Sequence, residues 1–329
     1  MDVNLQFWST EGKSFFQRFL HWTDILDPTT LLKSNSLFLA EIEKSRLLLQ
    51  TGAQTLQEPL RDKKVKQAWK LSLSSVHPGT GEIIPLVFRP PAFLPLVTPL
   101  VFASLLPQRG AKQAFIWQFL FHAYAAGFTI ANGNATPKTE ETALPQKLPE
   151  KQLLLSTGAI SYAACIGAFP HFVMTQNRVN NPSMQTFFRK ILPIPLLACL
   201  SAFNVMIVRG TECENGIEVM DKNGKVVGVS QKAGLKAVQE TALSRAAFFG
   251  TAVIIPESLL YFLQRTNFLL SNPHALTPLR LLMTVSALGA LLPVSFSVFP
   301  QLGEIKRDDL EKEILTSTEE TVLFYNRGV

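Results

Sequence analysis

Charge is scarce in this sequence. Only 17% of its 329 residues are Asp, Glu, Lys or Arg, whereas an average soluble chain has roughly 25%. The deficit is uneven, because residues 1–89 are rich in charge and long uncharged stretches follow. This distribution argues against an ordinary soluble globular protein. It predicts an N-terminal segment outside the bilayer, followed by an integral membrane domain.

Cysteine is also scarce, and no ligand spacing for a metal is present. Cys165 and Cys199 lie inside apolar stretches and Cys213 just after one, without a CxxC or a Cys/His set. Such thiols are typical space-filling residues. We therefore expect no metal and no other cofactor. The sequence also lacks a nucleophile–base pair, so we expect no enzyme, and we expect no nucleic-acid partner.

The N-terminus lacks the features of a cleavable leader. It has no basic start, no continuous apolar core and no small-residue cleavage site. Asp2 and Glu11 also argue against an acid-poor transit peptide. We expect the internal apolar segments to direct the chain to its membrane.

Six apolar runs are candidates for membrane spans. A helix needs roughly 20 residues to cross about 30 Å of hydrocarbon. Prolines interrupt several runs, as in transporters, although prolines are also common in ordinary membrane helices. The sequence predicts a mainly α, multi-pass membrane protein with five or six spans. The runs are 90–108, 113–137, 152–177, 191–208, 246–264 and 281–303.

The regions outside these runs carry their own patterns. In the N-terminal segment 1–89, Phe15, Phe19 and Trp22 recur at helical spacing, and Pro28 predicts a break. Further amphipathic helices are expected over 38–50 and 61–76; each either packs on its neighbours or lies on the membrane surface. Within the membrane domain 90–303, the hydrophilic insert 209–245 predicts a β-hairpin at Asn223-Gly224 and then a helix. Residues 304–329 form a charged tail.

The distribution of basic residues predicts the topology. If all six runs cross, most Lys and Arg side chains fall on the side that holds both ends of the chain. If 113–137 does not cross, the numbers of Lys and Arg residues on the two sides of the membrane become nearly equal. The positive-inside rule therefore favours six crossings with both ends on one side.

The motif "HPGTGE" precedes the first run and allows two interpretations. His77 and Glu82 suggest a metal or acid–base pair. The other interpretation is a tight turn made by Pro78, Gly79 and Gly81, with polar side chains that cap it. The turn is favoured. A phosphate-binding loop is excluded, because no Gly-Lys-Ser/Thr follows.

Several motifs occur together along the whole chain. They are "WTDILDP" at 22–28, "HPGTGE" at 77–82, "GIEVMDKNGKVVGVSQKAGLKAVQETALSR" at 216–245, "FPQ" at 299–301 and "ETVLFYNRGV" at 320–329. In this order they resemble the sideroflexins, a family of mitochondrial inner-membrane proteins, although Gly79 stands where the family usually has Asp. "IANGN" and "FYNRGV" resemble the sideroflexin-4 branch in particular. The motif residues are His77, Pro78, Thr80, Gly81, Glu82, Phe299, Pro300 and Gln301.

The resemblance draws attention to the run "WQFLFHAYAAGFTIANGN", residues 117–134. Most sideroflexins carry a row of asparagines here, and the matching positions are Phe121, Ala125, Thr129 and Asn132. Their spacing places them on one helix face. Carboxamides suit a zwitterionic amino acid, because they offer donors and acceptors without net charge. Only Asn132 remains, and Gly133 replaces the usual Arg, which argues against the serine transport known for the family.

Other polar residues in or beside the runs are candidates for a substrate path. Glu257 is the one acid inside a run, and ionisable groups within membranes are functional candidates. The alternative is a residue at the end of a span that reaches the interface or pairs with Arg245 or Arg265. A lone histidine such as His122 is more often a satisfied interior residue than a ligand. The candidates are His122, Asn132, Asn134, His171, Asn204 and Glu257.

Two functions from different classes remain open. The favoured one, implied by the resemblance, is a factor that supports assembly of respiratory complex I, with an indirect link to iron–sulfur and iron homeostasis. Its partners would be complex I assembly factors and the lipid bilayer. The alternative is a mitochondrial carrier of a small amino acid or a related metabolite. The prolines within the runs support the carrier, whereas the altered asparagine row supports the assembly factor.

Overall fold

The protein is described by a computed structural model that covers residues 3–32, 41, 43–47, 58–106, 108, 110–135, 150–176 and 181–329. The helix expected over 38–50 falls largely outside these ranges. Within them the helices are α1 (Val3–Glu11), α2 (Phe15–Ile25), α3 (Glu58–Ser75), α4 (Pro90–Leu105), α5 (Ala111–Asn132), α6 (Glu150–Gln176), α7 (Pro182–Thr186), α8 (Pro193–Val208), α9 (Gly210–Asn215), α10 (Gln231–Leu263), α11 (Asn267–Ser271), α12 (Leu276–Val298) and α13 (Lys312–Ser317). The strands are β1 (Ile217–Met220), β2 (Val226–Ser230), β3 (Leu302–Lys306) and β4 (Val322–Asn326).

Six apolar helices form the membrane domain. In the described part of the chain, α5, α6, α10 and α12 are long and apolar enough to cross a bilayer. The apolar helices α4 and α8 have 16 residues each, about 24 Å, which is shorter than the roughly 30 Å hydrocarbon core. The expected multi-pass α-helical fold is confirmed, with four full-length helices and two shorter ones where five or six spans were predicted.

Successive helices of the bundle run in opposite directions. Gln152 near the start of α6 donates to the Ile207 carbonyl near the end of α8, at 3.0 Å. Ser295 near the end of α12 donates to the Ser244 carbonyl in α10, at 3.0 Å. The ends of α5, α8 and α12 therefore meet the starts of α4 and α6 at one end of the bundle. We call it the sheet end, and it also holds the insert and the C-terminal tail, in agreement with the topology that the basic residues favour.

Phenylalanines fill the bundle core. The Phe93 ring lies 4.4 Å from the Phe128 ring and 6.3 Å from the Phe296 ring. Phe248 and Phe249 of α10 lie 4.7 Å apart and are almost fully buried. Tilted and edge-to-face aromatic pairs at these distances add about 0.5–1.5 kcal/mol each beyond the area they bury. Aromatic packing therefore joins α4, α5, α10 and α12.

A second, smaller core lies under a four-stranded antiparallel sheet in the order β2-β1-β4-β3. The predicted hairpin is confirmed: β1 pairs with β2, and Gly224 takes a φ of 77° in the turn. The tail was predicted only to be a charged segment. This prediction was incomplete, because the end of the chain also supplies β3 and β4. Gly303 is required here, since a Cβ would lie 2.4 Å from the Tyr325 ring. The insert and the tail therefore fold as one unit.

Helix α10 connects the two cores. Its 33 residues span about 50 Å, which is longer than a bilayer crossing requires. Ala233 and Ala237 pack under the sheet, whereas Phe248 and Val253 pack in the bundle. The amphipathic helix and the span expected separately at 231–245 and 246–264 are therefore one continuous helix.

The N-terminal segment packs against the sheet end. Asn4 accepts from the Ser72 hydroxyl at 2.7 Å and donates to the Val76 carbonyl at 3.1 Å. Arg18 donates to the Ser297 carbonyl at 2.9 Å. The predicted break at Pro28 is confirmed, since α2 ends at Ile25. The predicted apolar face of α2 is only partly buried, because Trp22 is buried whereas Phe15 is exposed.

Candidate functional site

The "HPGTGE" motif forms a tight turn at the sheet end. His77 Nδ1 accepts hydrogen bonds from the backbone amides of Gly79 and Thr80, both at 3.1 Å. Because Nδ1 is an acceptor, Nε2 carries the proton and donates to the Gly133 carbonyl at 2.5 Å. Gly81 takes a φ of 70°, and Glu82 is exposed. Both ring nitrogens of His77 are occupied, which supports the turn over a metal or acid–base pair.

Asn132 and Asn134 lie beside this turn and are used by the fold. Asn132 donates to the carbonyls of Phe88 and Phe128, both at 2.8 Å. Its own carbonyl accepts from the Val329 amide at 2.9 Å. The Asn134 amide donates to Glu212 Oε2 at 2.9 Å and to the Asn326 carbonyl at 2.8 Å. The two asparagines therefore join the end of α5 to the insert and to the tail.

A buried ion pair lies at the centre of the same end. Arg209 and Glu212 form two bonds of 2.6 Å, with side chains only 1% and 4% exposed. Arg209 also donates to the Thr241 hydroxyl at 2.9 Å and to the Arg327 carbonyl at 2.7 Å. A Cβ on Gly328, whose φ is 71°, would lie 2.8 Å from Arg209. The "FYNRGV" ending therefore closes over this pair.

Two further arginines bind the C-terminal carbonyls of α12. Arg327 donates to the Phe296 carbonyl at 3.1 Å, and Arg18 donates to the Ser297 carbonyl. Cations are favourable at this position, because the helix dipole places partial negative charge there. Burial lowers the pKa of Arg327 to about 10. Both arginines therefore anchor other segments to the end of α12.

The "FPQ" motif follows α12 directly and contacts the same group. Gln301 donates to Asn326 Oδ1 at 3.1 Å, and its carbonyl accepts from the Arg327 amide at 2.9 Å. The Arg327 guanidinium lies 6.0 Å from the Phe299 ring. Residues of five separate sequence motifs thus converge on one small cavity. Its lining includes Trp22, Pro78, Asn132, Gln301 and Val329.

The altered face of α5 points into the bundle. Phe121 is fully buried, and its ring lies 5.1 Å edge-to-face from the Phe249 ring. Ala125 is partly buried and offers no polar group. The Thr129 hydroxyl donates to the Ala125 carbonyl at 2.8 Å within the same helix. Along the positions that match the asparagine row, side chains are therefore apolar or bonded to the backbone.

His122 and Asn204 meet in the interior. Asn204 donates to the His122 carbonyl at 3.0 Å. His122 is fully buried, and neither of its ring nitrogens has a hydrogen-bond partner among the described residues; the same holds for Asn204 Oδ1. Gln118, one helical turn before His122, lines a small cavity together with His171 and Ser104. These polar groups lie nearer the opposite end of the bundle than the motif residues do.

Glu257 pairs with a residue that the sequence did not indicate. Arg280 of α12 forms an ion pair with it. Arg280 Nη2 donates to Glu257 Oε2 at 2.9 Å, Nε lies 2.9 Å from Oε1, and the two side chains are 22% and 24% exposed. Arg245 and Arg265, the partners considered in the alternative interpretation, lie elsewhere: Arg265 contacts Tyr261, and Arg245 lies deep in the core. Glu257 therefore joins α10 to α12 near the end opposite the sheet, apart from His122 and from the motif residues.

Arg245 is a buried charge that is surrounded by aromatic rings. It is 3% exposed, and its guanidinium lies 4.5 Å from the Phe296 ring, 5.1 Å from Phe93 and 5.4 Å from Phe128. Its terminal nitrogens have no hydrogen-bond partner among the described residues. Cation–π attraction to three rings offsets part of the desolvation. The side chain therefore holds α4, α5 and α12 around α10.

Sequence reasoning missed the roles of Arg209, Glu212 and Arg327 at the sheet end and the role of Arg245 in the bundle core. Each is a charge next to an apolar run or near the end of the chain, which is a weak signal by itself. No pattern in the sequence indicates that residues more than one hundred positions apart share one buried group. In the described ranges, no group of three or more His, Cys, Asp or Glu side chains is arranged to hold a metal ion.

Comparison with known proteins defines the class of this bundle. The sideroflexin family model matches residues 2–329. Sideroflexin-4 from Danio rerio is 46% identical over 329 residues and covers all of both chains. Sideroflexin-4 from Homo sapiens is 41% identical over all of this chain and 93% of its own length, and human Sideroflexin-5 is 30% identical over 96% of this chain and 90% of its own. No solved structure matches significantly.

The fold and these matches agree on one class, a multi-pass α-helical membrane protein. The chain belongs to the sideroflexin family.

Proposed function

We propose that this protein resides in the mitochondrial inner membrane and supports assembly of respiratory complex I, without transporting serine. In this account its link to iron–sulfur and iron homeostasis is indirect and follows from the respiratory chain. Family membership and similarity to proteins named Sideroflexin-4 support the proposal. The lack of free hydrogen-bonding side chains on the inner face of α5 supports it as well.

The observation that carries the proposal is the face of α5. A serine that leaves water must exchange its hydrogen bonds for protein partners, and an unsatisfied polar group in apolar surroundings costs about 2–7 kcal/mol. Phe121 and Ala125 offer no side-chain partner. Thr129 and Asn132 already donate to backbone carbonyls. A zwitterion at this face would therefore leave several of its own groups unpaired.

Two complementation assays test the proposal. Expression in cells that lack their own sideroflexin-4-like protein should restore assembled complex I on native gels. Expression in cells that lack their serine-transporting sideroflexins should leave mitochondrial serine import unrestored. Restored serine import together with failed complex I assembly would overturn the proposal. In both cell lines, the protein should stay in the membrane pellet after carbonate extraction of isolated mitochondria.

The second candidate function is a carrier for a small amino acid or a related metabolite. One observation favours it: Gln118 Oε1, His122 and Asn204 Oδ1 are buried hydrogen-bonding groups without a partner among the described residues. Native proteins usually satisfy such groups, and a polar guest would do so. If this guest is transported, purified protein in liposomes should take up a labelled amino acid, and His122→Leu should reduce uptake more than Tyr162→Leu on the exposed surface of α6.

A further inference from the structure

Helix α2 has an exposed surface that divides into two sectors. Side chains advance by about 100° per residue around a helix, so Phe16 and Leu20 lie about 40° apart. They are 76% and 63% exposed. Arg18, Trp22 and Ile25 occupy the opposite, buried side. Phe15 and Phe19 lie together on one side of Phe16, with the exposed Thr23 between Phe19 and Phe16, and the rings of Phe15 and Phe19 stack with centroids 6.3 Å apart. We call Phe15, Phe16, Phe19 and Leu20 the apolar sector.

The polar sector of α2 faces a different neighbour. Gln17, His21 and Asp24 follow one another on the other flank of the exposed surface. Asp24 forms an ion pair with Lys66 of α3 at 3.2 Å, which fixes this flank toward α3. The apolar sector therefore turns away from the rest of the N-terminal segment.

The position of α2 along the bundle places the apolar sector near the membrane boundary. Arg18 donates to the Ser297 carbonyl at 2.9 Å, and the Trp22 ring lies 4.8 Å from the Phe296 ring. Both contacts involve the last turn of α12, a helix of 23 residues that is long enough to cross a bilayer. Val298, which ends α12, is 46% exposed. The contacts of Arg18 and Trp22 therefore place α2 beside the end of α12, where an apolar side chain is exposed.

We propose that the apolar sector of α2 is embedded in the lipid bilayer, so that α2 is an interfacial anchor of the N-terminal segment. A helix with one apolar and one polar flank places its apolar side about 5–10 Å into the headgroup–acyl boundary. Lipid is the occupant because α2 packs against the last turn of a helix that is long enough to cross a bilayer, and because the polar flank contacts α3 and remains open to water. Arg18 fixes the rotation of α2, which directs Phe16 and Leu20 outward.

Site-directed fluorescence tests this placement in the full chain. Cys165, Cys199 and Cys213 are replaced by alanine. Single cysteines are then introduced by Leu20→Cys, Phe16→Cys or, as the matched control in the polar sector, Asp24→Cys. Each variant is labelled with the fluorophore NBD and reconstituted into phosphatidylcholine vesicles. A nitroxide on the acyl chain serves as the lipid quencher, and iodide serves as the aqueous quencher. Unchanged thermal unfolding of each variant confirms its fold.

The expected result is a clear separation of the two sectors. At an interfacial depth, lipid quenching at positions 16 and 20 should exceed that at 24 by about twofold or more, with the opposite order for iodide. Equal iodide quenching at all three positions would overturn the proposal, because the sector would then face water. Protection of positions 16 and 20 from both quenchers would also overturn it, because protein rather than lipid would then cover the sector.

Discussion

The middle of the bundle and its sheet end use polar residues in opposite ways. At the sheet end, His77, Asn132 and Asn134 each hydrogen-bond to distant segments. In the middle, Phe121 fills its position with a ring, and His122 has no partner among the described residues. The motif residues therefore stabilise the joint between the membrane helices and the sheet. In the middle, Phe121 and Ala125 offer no side-chain hydrogen-bonding partner to a substrate.

The largest loss of stability is expected when the buried ion pair at the sheet end is disrupted. Arg209→Ala leaves Glu212 buried without its partner, and removal of one member of a buried ion pair costs about 3–5 kcal/mol. Thermal unfolding of purified protein in detergent should report this loss. The control is Lys151→Ala, which removes a pair with Glu214 whose side chains are 74% and 61% exposed and should change stability little. Equal losses in both variants would remove the distinction between a buried joint and a surface contact.

The next largest effect distinguishes the two interpretations of "HPGTGE", a structural turn and a metal or acid–base pair. His77→Ala leaves the Gly79 and Thr80 amides and the Gly133 carbonyl without their partner, and a buried unsatisfied group costs about 1–3 kcal/mol. Glu82→Ala is the matched control, because Glu82 is exposed. Unfolding of the two variants should therefore differ clearly. If both retained stability and both lost function, an acid–base or metal role would replace the structural one.

A smaller effect is expected for the Glu257–Arg280 pair at the opposite end. Since both side chains are partly exposed, Glu257→Gln should destabilise the protein by about 1 kcal/mol and leave complex I support intact. A double-mutant cycle with Arg280→Gln measures the coupling between the two groups. Loss of complex I support at unchanged protein abundance would instead assign Glu257 to a substrate or proton path.

The smallest effect depends on pH. A hydrogen bond from Lys70 lowers the pKa of Asp27 to about 2, from its ordinary value of 3.8. Because the pKa of Asp27 is lower in the folded state than in the unfolded state, its ionised carboxylate stabilises the folded protein at pH values above about 4. This contribution disappears as the pH falls from about 4 toward 2. Asp27→Asn should therefore be less stable than the parent at pH 6, by about 1 kcal/mol or less, and the difference should vanish near pH 2. A difference that is independent of pH would show that the charge of Asp27 has no role.

The sequence predicts the elements that depend on local patterns. Charge-free runs locate the membrane helices, Asn223-Gly224 locates the hairpin, and Pro28 locates a break. The pairing of β1 with β4 is not predictable in this way, because it joins residues more than one hundred positions apart. The contact of Arg209 with the Arg327 carbonyl was missed for the same reason. The Glu257–Arg280 pair joins two different helices, and the sequence does not show which faces of these helices meet. The partner of an isolated charge cannot be predicted from the sequence, because it depends on how the helices pack.

The positions on α5 that match the asparagine row could be placed on one face from the sequence, but their contacts could not. The resemblance identified Phe121, Ala125, Thr129 and Asn132 as one face, and they do lie on the inner side of α5. The spacing alone could not reveal that Asn132 bonds to Phe88 and that Val329 bonds to Asn132. The remaining asparagine of the row therefore belongs to the sheet end by its contacts.

Serine uptake by the purified full chain in liposomes tests the central claim most directly. Vesicles with a serine-transporting sideroflexin serve as the positive control, and vesicles without protein set the background. With the apolar face of α5 in place, we predict uptake at background. The triple variant Phe121→Asn, Ala125→Asn, Thr129→Asn measures how much transport the restored carboxamides return. Serine uptake by the unmodified protein near the positive control would contradict the account and make this chain a carrier.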